Sequence, residues 1–309
     1  MKRYACGHKI PDLDSITSAI SLSYLKSKLN EEVIPVRLGE PNIETKFVLE
    51  KFGFEIPPLK TSFSGDGLYI TDHSDRHLAP DDLEECVVLG IIDHHKLGDI
   101  TTSTPLECWI RPVGCTNTII YDMYRYYDIQ IPSNIASIML CAILVDTVIF
   151  KSPTCTTEDK KAVKELSKIS GIKDFKYLGI ELFKIKSSID GISYKDLLLR
   201  DYKEFNMNNN EVGIGQLEVI DISLFDDIKD ELHLFIHNYK KEKNLHTVIV
   251  LLTDIMQEGS ELLVSSNDNL IVEKSFNKLL DQNNRMWIDG CLSRKKQIIP
   301  LLEPTFFNN

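Results

Sequence analysis

Four short stretches of this chain combine acids and histidines in a way that could hold metal. They read GHKIPDLDS, with His8, Asp12 and Asp14; ITDHSD, with Asp72 and His73; LGIIDHHKLGD, with Asp93, His94 and His95; and LVDTVIF, where Asp146 is the sole acid. Each also has a plain structural reading. Asp12 or Asp14 could cap the helix that follows, a position acids favour. His73 reads as a supporting or structural residue, and the DHH run could be a polar strand end. Asp146 could pair with a buried amide or arginine, although a lone carboxylate in an apolar run is costly. Taken together, imidazoles mixed with carboxylates suit a divalent transition ion such as Mn²⁺ or Co²⁺ better than Ca²⁺, which prefers oxygen alone. There are enough carboxylates for two ions, and a pair ~3.5–4 Å apart is the arrangement used for in-line attack on phosphorus.

Basic partners appear far downstream. SRKKQ offers Ser293, Arg294, Lys295 and Lys296, and RDYKEF offers Lys203. A short basic run is commonly a solvated face. This one sits in a chain of net charge −11 and leads into QIIPLL, read here as a strand. Arginine forks onto phosphate oxygens and lysine neutralises them as a point charge, so a small phosphate-rich anion is the matching substrate.

The elements that must position these groups follow from periodicity. KRYACGH, EVIPVRLG, GLYITD and ECVVLGIID read as strands. PDLDSITSAISLSYLKSKLN reads as an amphipathic helix, with Ile16, Ala19, Ile20 and Leu25 on its apolar face and Lys26 and Lys28 outside it. IASIMLCAILVDTVIF reads as a buried helix. Strands alternating with helices predict a doubly wound, mainly parallel sheet, in which ligands bind beyond the carboxyl ends of the strands. The acid and histidine clusters of this half fall at such ends. The polar stretch SSIDGISYKD around Gly191 suggests a hinge. VGIGQLEV, HTVIVLLTD and ELLVSSN then read as strands of a second domain, with a charged helix across DDIKDELHLFIHNYKKEKN.

With 309 residues the chain has room for one large or two medium domains. Its negative charge argues against a general nucleic-acid or anionic-membrane binder. No run approaches a membrane span, MKRYACGHKIPDLDS lacks the apolar core of a leader, and seven scattered cysteines without a CxxC pair suit a reducing compartment. A cytoplasmic protein is the expectation.

In order along the chain, GHKIPDLDS, PVRLGE, TDH, VLGIIDHH, RPVGCTNTI, FKSPTCT and SRKKQIIP resemble the DHH phosphoesterase superfamily. Within it they are similar to the family II, manganese-dependent inorganic pyrophosphatases. The resemblance spans essentially the whole chain. It implies an α/β protein with a DHH domain over 1–187, a hinge over 188–195 and a smaller DHHA2-type α/β domain over 196–309, the active site lying in the cleft between them. It implies one Mn²⁺ held by His8, Asp12 and Asp72, and a second by Asp14, Asp72, His94 and Asp146, with Asp72 bridging. Co²⁺ could substitute, and Mg²⁺ would arrive with the substrate. His95, Lys203, Arg294 and Lys295 would contact pyrophosphate, Asp93 would orient the loop or a ring, and a metal-activated hydroxide would attack phosphorus. A homodimer through the N-terminal domain is implied as well, with no nucleic-acid or membrane partner. Where the family usually has polar residues, the first loop has Lys9, Ile10 and Leu13, none an expected ligand. The Asp72–Asp93 interval leaves no room for a regulatory nucleotide-binding insertion. Three rivals remain. An exopolyphosphatase of the same branch typically lacks the first histidine, and a nuclease or oligonucleotide phosphatase of the other branch carries a GGGH-type motif not found here. A silent binding module would be expected to have lost a ligand.

Overall fold

The computed structural model describes residues 1–187, 189 and 191–307. They form two compact units, Met1–Leu182 and Phe183–Asn309. The expected hinge over 188–195 includes Ser188 and Asp190, which lie outside the described residues.

The first unit runs β1 (Arg3–Cys6), α1 (Leu13–Lys28), β2 (Ile34–Pro35), α2 (Ile43–Lys51), β3 (Gly67–Thr71), β4 (Val87–Asp93), β5 (Glu107–Ile110), α3 (Thr116–Tyr126), α4 (Ser133–Asp146) and α5 (Thr157–Ser170). Helix α6 (Phe175–Lys186) carries the break between the units. Among the described residues the strands form one parallel sheet in the order β2-β1-β3-β4-β5. A parallel sheet covered on both faces needs strands that are apolar throughout, and β3 is buried at every residue. Register pairs Cys6 with Ile70, Thr71 with Ile92 and Asp93 with Ile110. The residues just past β1, β3 and β4 therefore lie side by side at one edge.

Helix α4 is buried from Ile135 to Val145 and packs against α1, α3 and α5. Its burial on all sides explains a composition without an amphipathic stripe. The helix stops at Asp146, short of the expected run to Phe150. Val148, Ile149 and Phe150 take φ of 51°, 51° and 68°, left-handed conformations that cost about 1–3 kcal/mol each for non-glycine residues. Packing holds them there. Ile149 lies against Gly179 of α6, where a Cβ would come within 2.9 Å of its Cγ1, and Phe150 meets Phe175 edge-on. Lys26, expected outside the apolar face of α1, is buried instead. Its ammonium pairs with Glu107 and lies 4.6 Å from the centroid of the Tyr69 ring, so the charge is compensated locally.

The second unit continues with α7 (Tyr194–Leu199), β6 (Tyr202–Met207), β7 (Asn210–Val219), α8 (Lys229–Glu242), β8 (Thr247–Asp254), β9 (Gly259–Ser266), α9 (Asn269–Phe276), β10 (Arg285–Asp289) and α10 (Ile299–Phe307). The sheet order is β10-β9-β8-β7-β6, antiparallel except for β7 with β8. Strand β8 is buried on both faces. Val248, Val250 and Leu252 join one apolar cluster with Leu232 and Ile236 of α8, while Ile249 and Leu251 join another with Leu302 and Phe306 of α10. The run QIIPLL is not the expected strand. Arg294–Ile298 form a widened π-type turn that leads directly into α10. Ile298, Leu302 and Phe306 are buried at four-residue spacing, a helical period, and Pro300 could not have donated to a strand ladder.

Candidate metal centre

Every acid and histidine expected to bind metal lies in the first unit, in segments that leave β1, β3, β4 and α4 or open α1. Gly7 lets β1 turn over α1, because a Cβ there would sit 1.8 Å from Ser15 Oγ. The amide of His8 donates to that hydroxyl at 2.9 Å. Asp12 caps α1, its Oδ1 accepting from Ser15 N at 2.9 Å. The same oxygen lies 3.9 Å from His8 Nε2, so the capping and ligand readings are compatible.

Asp72 sits at the centre. Its φ of +66° turns the chain sharply off the end of β3. Its Oδ2 lies 3.4 Å from His8 Nε2, and its Oδ1 lies 3.4 Å from His94 Nε2 and 3.3 Å from Thr116 Oγ1. The two oxygens of one carboxylate thus face two different imidazoles. His94 Nδ1 is 3.0 Å from the Val113 carbonyl, which makes Nδ1 the donor and leaves Nε2 for a metal. His95 is oriented differently. Its amide and Nδ1 meet Asp93 Oδ1 at 3.0 and 2.9 Å, and its side chain is 40% exposed. His73 is buried with Nδ1 at 3.2 Å from the Asp75 carbonyl.

Asp14 is buried and takes three hydrogen bonds from the start of α3. Thr116 N donates to Oδ2 at 2.7 Å, while Asn117 N and Nδ2 donate to Oδ1 at 3.2 and 2.6 Å. A helix N-terminus favours such a carboxylate. Asp146 has the opposite situation, being the last residue of α4, where the helix dipole disfavours negative charge. Ligand atoms of three groups lie within 4.8 Å of one another: His8, Asp12 and Asp72; Asp72, His94 and His95; and Asp14, Cys115 and Asp146.

RPVGCTNTI counted only toward the resemblance, and no site role was expected of its Cys115, Thr116 or Asn117. The loop from Arg111 to Asn117 brings Cys115 beside Asp14 and Asp146, Thr116 to Asp72, and Asn117 to Asp14. Asp159 anchors that loop, accepting from Gly114 N at 2.9 Å and from Thr118 Oγ1 at 2.6 Å. A Gly-Cys-Thr-Asn turn before a helical pattern was the available local signal; contacts across some 100 residues had none.

The basic residues belong to the second unit. Lys203 is exposed on β6 and paired in register with Ile214. Arg294 is buried, its Nη1 donating to the Ile214 carbonyl at 3.0 Å, which makes it a neighbour of Lys203. Lys295 is exposed in the turn that follows.

Electrostatics in the first unit call for a cation. Burial opposes charge on His8 and His94, yet hydrogen bonds and charge from the acids around them win. Asp12 and Asp72 hold His8 protonated up to about 10, and Asp72 with Asp14 holds His94 up to about 9. Burial also opposes charge on Asp72, but His8 and His94 keep its carboxyl well below the usual range. Asp14 is pushed up to about 6, first by burial and then by Asp72; burial and the nearby acids push Asp146 well above its ordinary value. Protons on two histidines here do the neutralising that metal ions would do.

Residues 2–143 match the model of the DHH family, N-terminal domain, and residues 180–305 that of the DHHA2 domain. The chain is 42% identical over 315 residues to a probable manganese-dependent inorganic pyrophosphatase of Archaeoglobus fulgidus, covering 98% of each. It is 40% identical over 312 residues to the manganese-dependent inorganic pyrophosphatase of Methanocaldococcus jannaschii, covering 98% of this chain and 99% of that one. The chain belongs to the family II, manganese-dependent inorganic pyrophosphatases. A crystal structure described as a Methanococcus jannaschii putative family II inorganic pyrophosphatase superposes with a TM-score of 0.82 at 40% identity, over 99% of both chains.

The residues fit the ion of a manganese-dependent pyrophosphatase. Imidazole and carboxylate donors suit Mn²⁺, the acids are too many to stay ionised together without cations, and the Val113 carbonyl at His94 Nδ1 makes Nε2 the nitrogen that would give up its proton to a metal. Of the three residues expected to set this first loop apart, Leu13 is buried in the core, Lys9 pairs with Asp81 at 2.6 Å, and Ile10 is exposed.

Proposed function

We propose that this chain hydrolyses inorganic pyrophosphate to two orthophosphates at a centre of two metal ions in its first unit, with basic residues of the second unit taking the substrate's phosphates. The activity follows from family membership: the protein is a metal-dependent phosphoanhydride hydrolase, and manganese is its metal. The observation that carries the site reading is Asp72, whose two oxygens each lie 3.4 Å from a different imidazole. In this reading His8, Asp12 and Asp72 hold one Mn²⁺, while Asp14, Asp72, His94 and Asp146 hold the other. When bound, the metals supply Lewis acidity and lower the pKa of a coordinated water.

The chain's own groups do the rest. Asp93 fixes His95 through Nδ1, leaving Nε2 to hydrogen-bond a phosphate oxygen on the leaving side. Lys203, Arg294 and Lys295 neutralise charge on the phosphates as it develops. Asp14 is kept in place by the amides of α3. Co²⁺ would substitute for Mn²⁺, and Mg²⁺ would accompany the substrate. The metal ligands precede the stretch 188–195 and the phosphate-binding residues follow it. The proposed ligands thus fall in a DHH domain over 1–187, and the proposed phosphate-binding residues in a DHHA2-type domain over 196–309. We take the protein to be a cytoplasmic homodimer through its N-terminal unit with no nucleic-acid partner; its cysteines stand as free thiols, which suits a reducing compartment.

The test is phosphate release from pyrophosphate, tripolyphosphate, long-chain polyphosphate and a dinucleotide, each with Mn²⁺, Co²⁺ or Mg²⁺. Pyrophosphate with Mn²⁺ should dominate. Faster release from long chains would make the protein an exopolyphosphatase, and release from the dinucleotide would make it a nuclease-type relative.

A further inference from the structure

Arg294 is unusual among phosphate-binding candidates because much of its guanidinium is already engaged. Nη1 donates to the carbonyls of Asp201 at 2.7 Å and Ile214 at 3.0 Å, and Nη2 donates to Asp201 Oδ1 at 2.7 Å. Its backbone amide donates to Gln216 Oε1 at 3.1 Å. A guanidinium has five N–H groups in a rigid plane, and these side-chain bonds use three. Asp201 meets the edge shared by Nη1 and Nη2 with both its carbonyl and its carboxylate. The Nε–H and the outer Nη2–H, which none of these bonds uses, form the adjacent edge, parallel and spaced as two phosphate oxygens require.

The carboxylate of Asp201 is itself half-exposed. A negative charge next to an anion-binding arginine repels the substrate, and a half-exposed ion pair adds little to stability. Its position makes sense if what it supplies is direction. We infer that Asp201 is a positioning residue that turns the free Nε–Nη2 edge of Arg294 toward a phosphate of the substrate. The inference rests on the phosphate-binding role proposed above for Arg294. The same segment serves twice. Asp201 immediately precedes β6, and Lys203, two residues on, falls on the same side of an extended chain. Lys203 is paired with Ile214, whose carbonyl takes the third guanidinium bond. One strand start therefore sets the relative placement of a fork and a point charge.

The test uses the full-length, Mn²⁺-loaded protein in four forms: wild type, Asp201→Ala, Asp201→Asn and Arg294→Ala, together with the double variant Asp201→Ala/Arg294→Ala. The readouts are KM and kcat for pyrophosphate, calorimetric affinity for imidodiphosphate, bound manganese and thermal midpoint. Asp201→Ala should weaken imidodiphosphate binding and raise KM by roughly 10-fold to 100-fold, the range of a charge-assisted hydrogen bond, with manganese content and thermal midpoint unchanged. Asp201→Asn, whose amide oxygen still accepts from Nη2, should recover most of the loss. The double variant should be no worse than Arg294→Ala, because Asp201 acts only through that side chain. An Asp201→Ala loss that persists in full in the Arg294→Ala background would overturn the inference, as would tighter binding in Asp201→Ala. Unchanged affinity and kinetics in Arg294→Ala would instead overturn the proposed role of Arg294, on which the inference stands.

Discussion

Asp72→Asn replaces the shared carboxylate by a neutral group of the same shape, and its consequences can be worked out for the metal-free protein. His8 and His94 are held protonated up to about 10 and about 9, against 6.5 for a free imidazole, and their side chains are only 15% and 14% exposed. One pKa unit corresponds to about 1.4 kcal/mol. At pH 7 the two shifts are therefore worth on the order of 6 kcal/mol together. Asp12 shares His8 and Asp14 shares His94, so the part that depends on Asp72 is on the order of 3 kcal/mol. Both folded-state values are raised. Their stabilisation is thus complete below about pH 6.5 and is lost as pH rises through 9 and 10. In EDTA, the wild type should exceed Asp72→Asn in stability at pH 7, and the gap should close by about pH 10. Urea denaturation at the two pH values measures this difference. With metal present, the variant should lose nearly all turnover and hold both ions loosely, as elemental analysis after gel filtration would show. Two retained equivalents of Mn²⁺ with near-normal activity, or a stability gap independent of pH, would refute the reasoning.

His95→Gln should keep its manganese but lose about 10²–10⁴-fold in rate, the usual worth of a substrate-side acid or charged contact; metal loss matching that of His94→Gln would reverse the two roles. Manganese binding should expel protons from His8 and His94, since a ligating imidazole must be neutral. Apparent affinity should accordingly climb between about pH 7 and 9, and calorimetry in buffers of differing ionisation heat should detect proton release; none released would contradict protonated imidazoles at these two positions in the metal-free centre. Asn117→Ala should weaken one of the two manganese ions by about 10–100-fold, as loss of an orienting partner typically does, and equilibrium dialysis with two undiminished equivalents would show that Asn117 does not position Asp14.

The residues of the candidate centre were legible where chemistry is local. Asp72 and His94 follow apolar runs that form strands, and in a parallel sheet those ends converge, while Asp12 and Asp14 open α1 and Asp146 ends the apolar α4. What stayed hidden was mostly decided at long range. Lys26 looked like a solvated residue of α1, and only the fold reveals the Glu107 carboxylate and Tyr69 ring that bury it. The left-handed turn at Val148–Phe150 runs against the preference of β-branched residues and depends on Gly179 leaving space. Cys115 and Asn117 reach Asp14 through a loop whose course is set by Asp159. The helix that takes up QIIPLL had a local sign, because Pro300 within the run argues against a strand.

If two metal ions held by the first unit make pyrophosphate hydrolysis possible, the most direct test is to strip the protein with EDTA, remove the chelator and titrate Mn²⁺ while following phosphate release from pyrophosphate. Activity should be absent at the start and reach its plateau only once two equivalents are bound. Full turnover without added metal, or a plateau after a single equivalent, would contradict a two-metal requirement.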